Sequence, residues 1–106
     1  MGEKKVKSVY LASPYTKGDV AVNVKAQIDA ASQLRDKGFI PFWPLHSHFE
    51  HMAHPKPYQV WLDADLYWIT KCDCLLRLPG ESAGADIEVE YAKANNIPVY
   101  FSIVEI

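Results

Sequence analysis

Four short apolar runs alternate with three longer segments of helical pattern, and this alternation constrains the fold more than any other feature of the sequence. The apolar runs are bounded by turn residues, as buried strands are. The pattern predicts strands at 6–12, 39–43, 73–78 and 97–101. It predicts helices at 20–37, 57–70 and 83–95. Strands that alternate with helices pair in parallel through right-handed crossovers. We therefore expect an α/β fold, a small doubly wound, Rossmann-like parallel sheet of four to five strands with helices on both faces.

Helix boundaries are marked by residues that favour helix ends. Asp19 and Ser82 are candidate N-caps for the first and third helices. Lys37-Gly38 is a stop signal, and Pro57 suits the first position of the second helix. Pro41 lacks an N–H for the ladder, so we expect the second strand at a sheet edge. The predicted strand order is 2-1-3-4.

The third strand leads through Pro79-Gly80 into the third helix, and this unit faces the expected ligand cleft. In doubly wound sheets ligands bind at the carboxyl ends of strands where the strand order reverses. That rule brings residues 12–15 together with 79–84 and places Glu88 beside the cleft. The spacing of Ile87, Tyr91 and Ala94 predicts the packing face of this helix, with Glu88 on its flank.

Length and composition indicate one ordinary globular domain over residues 1–106. A net charge of −2 gives no footprint for a nucleic-acid polymer, and no apolar run approaches the about 20 residues that span a membrane. Without a signal-peptide pattern, and with Cys72 and Cys74 read as reduced thiols, we expect a cytoplasmic protein. Three Trp, six Tyr and four Phe are many for so small a core, which favours a homodimer or higher homo-oligomer.

Residues 44–56 are predicted to be irregular, and they contain all the histidines of the chain: His46, His48, His51 and His54. Their spacings of two, three and three leave a metal site open as an alternative. No carboxylate or cysteine completes a metal-binding signature. We interpret the segment as a polar flap over the site or a partner contact, and we expect no metal.

Carboxyl groups suggest the chemistry. Cleavage of a glycosidic bond uses one carboxyl group at the anomeric carbon and a second that exchanges a proton with the leaving group. Glu88 and Asp65 are a candidate pair. Asp63 and Asp73 are interpreted as surface or capping residues.

Three motifs together resemble the nucleoside 2-deoxyribosyltransferase superfamily, which includes the 2′-deoxynucleoside 5′-monophosphate N-glycosidases. They are Tyr-Leu-Ala-Ser-Pro-Tyr at 10–15, Asp65-Leu66 with Asp73 eight residues later, and Ser82-x-Gly84-x-x-x-Glu88-x-x-x-Ala92. The resemblance extends over residues 6–101. It implies a nucleoside or nucleotide N-glycosidase or deoxyribosyltransferase that needs no cofactor.

The resemblance also implies residue roles. Glu88 matches the nucleophile, Asp65 the aspartate that assists the leaving base, and Tyr10 the tyrosine that hydrogen-bonds the nucleophile. Ser82 stands where the transferases often carry an aspartate for the 5′-hydroxyl, and serine there favours a 5′-phosphate. The substrate-binding candidates are Ser13, Pro14, Tyr15, Trp43, Trp61, Ser82 and Gly84. The alternatives are a non-catalytic nucleotide-binding module of the same fold and a structural or interaction protein.

Overall fold

The computed structural model describes residues 7–106. The strands are β1 (Ser8–Ala12), β2 (Ile40–Phe42), β3 (Cys74–Arg77) and β4 (Val99–Tyr100). The helices are α1 (Val20–Asp36), α2 (Ser47–Ala53), α3 (Tyr58–Ile69) and α4 (Ala83–Ala94), with short 3-10 turns at Pro44–His46 and Ile103–Glu105. Within the described range, no helix combines the length and the apolar character needed to cross a bilayer.

The four strands form one parallel sheet in the order β2-β1-β3-β4. This confirms the predicted α/β class and strand order. Pro41 lies on β2, an edge strand, and pairs with Val9 of β1. An edge position suits proline because it has no N–H to donate to the ladder. The sequence order reverses between β1 and β3, where Val9 lies opposite Cys74.

Alternation along β1 sends successive side chains to opposite faces of the sheet. Val9 and Leu11 pack against Leu34 and its neighbours on α1. Tyr10 and Ala12 join the second cluster, which α3 and α4 cover. The core is therefore two layers, one on each side of the sheet, and only the second contains Tyr10.

The cysteines belong to different layers of the core. Cys74 packs with the α1 cluster, whereas Cys72 packs with the cluster under α3 and α4. Both are buried free thiols. Burial raises the pKa of Cys72 to about 11, which keeps this thiol protonated at neutral pH.

The predicted helix caps are in place. Asp19 accepts a hydrogen bond from the Val22 N–H at 3.2 Å, and Ser82 accepts one from the Ala85 N–H at 3.1 Å. Gly38, just after α1, has a φ of +92°, a conformation that glycine adopts without steric cost. Pro57 is the capping residue before α3 and not its first helical residue, a shift of one position.

Two predictions on secondary structure need correction. Residues 44–56 are not irregular, because a 3-10 turn and α2 occupy most of them, although α2 buries none of its residues. The strands are also shorter than predicted, most clearly β4. Val6, the first residue of the predicted first strand, lies outside the described residues.

The predicted packing face of α4 is wrong at Ile87 and Ala94, whereas Tyr91 packs against the core as expected. Ile87 is 45% exposed and Ala94 is exposed, while the buried residues of α4 are Ala85, Glu88, Val89 and Ala92. The small alanine side chains of this face let the helix approach the sheet closely. Glu88 thus lies on the buried face itself.

Large apolar side chains remain exposed among the described residues, including Phe49, Met52, Tyr58, Tyr67, Trp68 and Phe101. Such a surface is consistent with subunit contacts. The homo-oligomer stays a prediction.

Replacing Gly80 with alanine should destabilise the protein more than the same change at Gly18. Both glycines have positive φ, at +118° and +87°, so each substitution strains the backbone. A Cβ on Gly80 would also lie 2.7 Å from the Pro14 Cγ, whereas one on Gly18 meets nothing within 4 Å. We expect Gly80→Ala to lower the free energy of unfolding by about 1 kcal/mol or more beyond Gly18→Ala. Denaturant unfolding of both variants measures this, and equal losses would contradict it.

Candidate active site

Two carboxyl groups meet between α3 and α4. Glu88 is 7% exposed and projects from the buried face of α4, while Asp65 is half-buried on α3. The two carboxyl groups lie close enough for each to influence the pKa of the other. The predicted pair is therefore brought together.

Tyr10 supports Glu88 from beneath. Its side chain is fully buried on β1, and its hydroxyl donates a hydrogen bond to Glu88 Oε2 at 2.8 Å. The Phe42 ring stacks on the tyrosine at a centroid distance of 5.7 Å. Burial, together with the charge of Glu88, raises the pKa of Tyr10 well above its ordinary value. The hydroxyl therefore stays a donor at any pH near neutrality.

The electrostatics of the pair favour proton retention. Burial raises the pKa of both carboxyls, and the charge of Asp65 raises the pKa of Glu88 further. The Tyr10 hydrogen bond and the Arg77 charge oppose this effect at Glu88. We therefore treat the two groups as one unit that holds a shared proton near neutral pH. Such a unit offers one carboxylate and one carboxylic acid at the same time.

The pair opens into a cavity of about 830 Å³. Its walls come from the loop after β1, the α2 segment, the first two thirds of α3 and the start of α4. Two lysines, Lys17 and Lys56, share the lining with Glu88 and Asp65. This volume suits a small organic molecule of nucleotide size.

Most of the predicted substrate-binding residues line this cavity: Ser13, Tyr15, Trp61, Ser82 and Gly84. The loops at 12–15 and 79–84 do meet, since Gly80 lies so close to Pro14 that a Cβ on it would be 2.7 Å from the Pro14 Cγ. The topological argument for the cleft therefore holds in the structure.

Trp43 and Pro14 do not line the cavity, contrary to expectation. Trp43 packs with the α1 cluster, because it follows Phe42 on β2 and alternation turns it to the other face. Pro14 is buried against Gly80 and borders a second cavity of about 490 Å³. Neither side chain is placed to contact a ligand bound beside Glu88.

Gln27 is a site-ordering residue that the sequence analysis missed. It is fully buried on α1, and its side-chain amide donates to Ser13 Oγ at 2.8 Å and to the Leu11 carbonyl at 3.3 Å. Its carbonyl accepts from the Leu45 N–H at 2.8 Å. One side chain thus fixes the loop after β1 and the 3-10 turn. A polar residue inside an otherwise apolar helix face was the available signal.

Arg77 was also missed, although it interrupts the apolar run of β3. Its buried guanidinium donates to the carbonyls of Leu78 and Gly80, and to Asp86 Oδ1 at 3.1 Å. These contacts hold the turn that leads to Ser82. A charged residue amid the leucines of a buried strand was the signal.

Two of the four histidines, His48 and His51, line the cavity, while His46 and His54 do not. His48 Nδ1 and the Tyr15 hydroxyl are hydrogen-bonded at 2.7 Å. Across residues 7–106, no group of three or more His, Cys, Asp or Glu side chains is arranged to hold a metal ion. His48 and His51 are therefore wall residues of the cavity.

Replacing Glu88 with glutamine should make stability less sensitive to pH. Folding raises the pKa of the Glu88 carboxyl, so the native state binds more protons than the unfolded state. The stability of wild type therefore falls as the pH rises from the ordinary pKa of a carboxyl, about 4, to the raised pKa. When the pH rises from 5 to 8, we expect the free energy of unfolding of wild type to fall, relative to that of Glu88→Gln, by about 1 kcal/mol or more. Denaturant titrations at both pH values measure the shift.

The exposed neighbour Glu90 provides the matched control for that experiment. Among residues 7–106, its carboxylate forms only a surface ion pair with Lys93, at 3.7 Å. Glu90→Gln should follow the pH dependence of wild type. The same dependence for wild type and Glu88→Gln would show that the buried pair does not resist ionisation.

Comparisons with known proteins agree with this architecture. The model of a family described as a domain of unknown function, DUF7768, matches residues 7–102. The 2-deoxyribosyltransferase of the psychrotolerant bacterium Bacillus psychrosaccharolyticus superposes with a TM-score of 0.64 at 22% identity, over 87% of this chain and 69% of that one. The Leishmania mexicana 2-deoxyribosyltransferase gives 0.65 at 17% identity, over 88% and 61%.

The search of curated proteins gave no match. This chain spans less than two thirds of the length of the Leishmania enzyme and slightly more than two thirds of the length of the bacterial enzyme. The structural likeness confirms, at the level of the fold, the resemblance to nucleoside 2-deoxyribosyltransferases. The chain belongs to the DUF7768 family and has the fold of the 2-deoxyribosyltransferases.

Proposed function

We propose that this protein cleaves the N-glycosidic bond of a 2′-deoxynucleotide or deoxynucleoside through a glycosyl-enzyme on Glu88. The observation that carries the proposal is the buried unit of Tyr10, Glu88 and Asp65 at the wall of a nucleotide-sized cavity. The fold shared with two 2-deoxyribosyltransferases supports it. Water would complete a hydrolysis, and a second base would complete a transfer.

The first step forms a bond between a Glu88 carboxylate oxygen and C1′. The bond between C1′ and the base nitrogen breaks, and its electron pair leaves with the base. Asp65 supplies the proton that neutralises the departing base, directly or through water. This division requires the shared proton of the pair to lie on Asp65 when the base leaves, so that Glu88 attacks as the carboxylate and Asp65 acts as the acid.

The second step releases the sugar. A water molecule or an acceptor base attacks C1′, and the bond to Glu88 breaks with its electron pair returning to the carboxylate. Asp65, now ionised, accepts the proton of the attacking group. Tyr10 binds Oε2 throughout and so leaves Oε1 of Glu88 for the covalent bond.

The 5′ end of the substrate is assigned to the entrance of α4. Ser82 Oγ uses a lone pair to cap the helix, so its hydroxyl hydrogen remains available to donate. Two lysines, Lys17 and Lys56, line the same cavity, and each also forms an ion pair with a glutamate, Glu81 or Glu50. These groups favour a 5′-phosphate over a free 5′-hydroxyl.

Glu88→Gln should abolish base release. The amide cannot act as the carboxylate nucleophile, and loss of a nucleophile commonly costs several orders of magnitude in kcat. The assay screens deoxynucleosides and their 5′-monophosphates for free base, with and without an acceptor base. Glu90→Gln is the control and should keep wild-type activity. Near wild-type rates in Glu88→Gln would contradict the covalent role, and nucleotide binding by wild type without base release would favour the non-catalytic binding module.

Ser82→Asp should reverse the preference between a nucleotide and its nucleoside. Aspartate retains the helix cap, but its charge would repel a phosphate dianion at close range. We expect wild-type kcat/KM to favour the 5′-monophosphate by about tenfold or more, and the variant to favour the nucleoside.

Ser102→Asp is the matched control for charge and capping. Ser102 caps the C-terminal 3-10 turn and borders only the second cavity. This variant should keep the wild-type preference. Equal kcat/KM for both substrates in wild type, or a preference for the nucleoside, would contradict a nucleotide substrate. The deoxyribosyltransferase reaction on a nucleoside would then be the favoured function.

A further inference from the structure

We propose that His51 binds the substrate by donating a hydrogen bond from Nε2–H to a substrate oxygen, and that Trp61 is the positioning residue that fixes this donor. The inference rests on the proposed function and assigns a role to a wall of the cavity that the carboxyl chemistry leaves unused. It follows from the hydrogen bonds that converge on one nitrogen of the His51 ring.

Two N–H groups are directed at His51 Nδ1. The Trp61 indole donates to it at 2.8 Å, and the Lys56 backbone N–H donates at 3.3 Å. An indole N–H and a backbone N–H can only donate, so Nδ1 must present a lone pair. In the neutral imidazole the proton then lies on Nε2. The surroundings of His51 thus select one tautomer, which is a donor on its opposite edge.

The opposite edge of the ring is available to a ligand. Within residues 7–106, no hydrogen bond engages His51 Nε2, and no buried side-chain nitrogen or oxygen is left without a partner. The half-buried ring lines the same cavity as Glu88 and Asp65. A fixed donor on a residue that lines a binding cavity is suited to an acceptor on the ligand.

The ring is also held in place relative to the proposed acid. His51 and Trp61 pack edge to face at a centroid distance of 5.8 Å. Trp61 precedes Asp65 by four residues on α3, so both lie on one face of the helix. The Lys56 ammonium lies 5.7 Å from the Trp61 ring centroid. The donor and the carboxyl pair are therefore parts of one wall of the cavity.

The recognised chemistry is an acceptor oxygen. A neutral N–H donor suits either a phosphate oxygen or a keto oxygen of the base, and it disfavours an amino group at that position. Deoxyuridine and deoxyuridine 5′-monophosphate carry the same keto oxygens and differ only in the phosphate. This pair of probes therefore distinguishes the two sources.

The tautomer is tested without any ligand. Long-range proton–nitrogen NMR of histidine-labelled protein reports which ring nitrogen carries the proton. We expect His51 to be protonated at Nε2 only, and the Trp61→Phe variant, which keeps the ring but lacks the N–H, to show a mixture of tautomers. Protonation of His51 at Nδ1 in wild type would overturn the inference, whatever the protein binds.

The binding role is tested with His51→Asn. Asparagine places an acceptor near the position of Nδ1 and so retains a partner for Trp61, but it has no group at the position of Nε2. We expect the Kd, measured by calorimetry, to rise about tenfold while the melting temperature changes little. His54→Asn is the control, since His54 lies in the same segment but outside the cavity, and it should bind as wild type does.

The Kd values of wild type and His51→Asn for the two probes identify the oxygen that accepts the hydrogen bond. A loss confined to the monophosphate identifies a phosphate oxygen as the acceptor, and an equal loss for both probes identifies an oxygen of the nucleoside. Unchanged Kd values in His51→Asn, with normal binding by wild type, would overturn the role of His51 and leave the proposed function intact. If wild type bound neither these probes nor any other deoxynucleoside or nucleotide, the proposed function would fail, and this inference with it.

Discussion

The hydrogen bond from the Tyr10 hydroxyl to Glu88 is the contact on which the rest of the site depends. It joins the central strand β1 to α4 inside the core, where an unpaired carboxylate would be strongly unfavourable. Because Glu88 needs this donor, α4 must pack with its carboxyl face on the sheet. The small residues Ala85 and Ala92 permit that approach. The position of the carboxyl group and the packing of the helix are thus one arrangement.

The same arrangement explains where the site lies. Tyr10 occupies the second layer of the core, and alternation along β1 assigns Val9 and Leu11 to the first. A shift of register by one residue would turn the tyrosine away from α4. The parallel pairing of β1 with β3 then brings the loops after both strands to the cavity. Gln27 and Arg77, each buried and hydrogen-bonded, hold these two loops.

Much of this arrangement could be predicted from the sequence, because the signals were local or topological. The alternation of strands and helices predicted the parallel sheet. Asp19 and Ser82 marked helix starts because each caps its helix through a residue only three positions later. The face of α4 could not be read from hydrophobicity, since its buried residues are alanines, a valine and an acid. Trp43 was assigned to the site for its ring alone, whereas its orientation depends on the register of β2. The partners of His51 lie five and ten residues away, and no periodic pattern reports such contacts.

The α2 helix differs from the other helices in burying none of its residues. Its inner side nevertheless contributes Ser47, His48 and His51 to the cavity. Substitutions on this helix therefore alter the shape and polarity of the cavity wall with little effect on the core. In a lineage of such proteins, α2 is where selection can change ligand preference while the carboxyl pair and its tyrosine stay as they are.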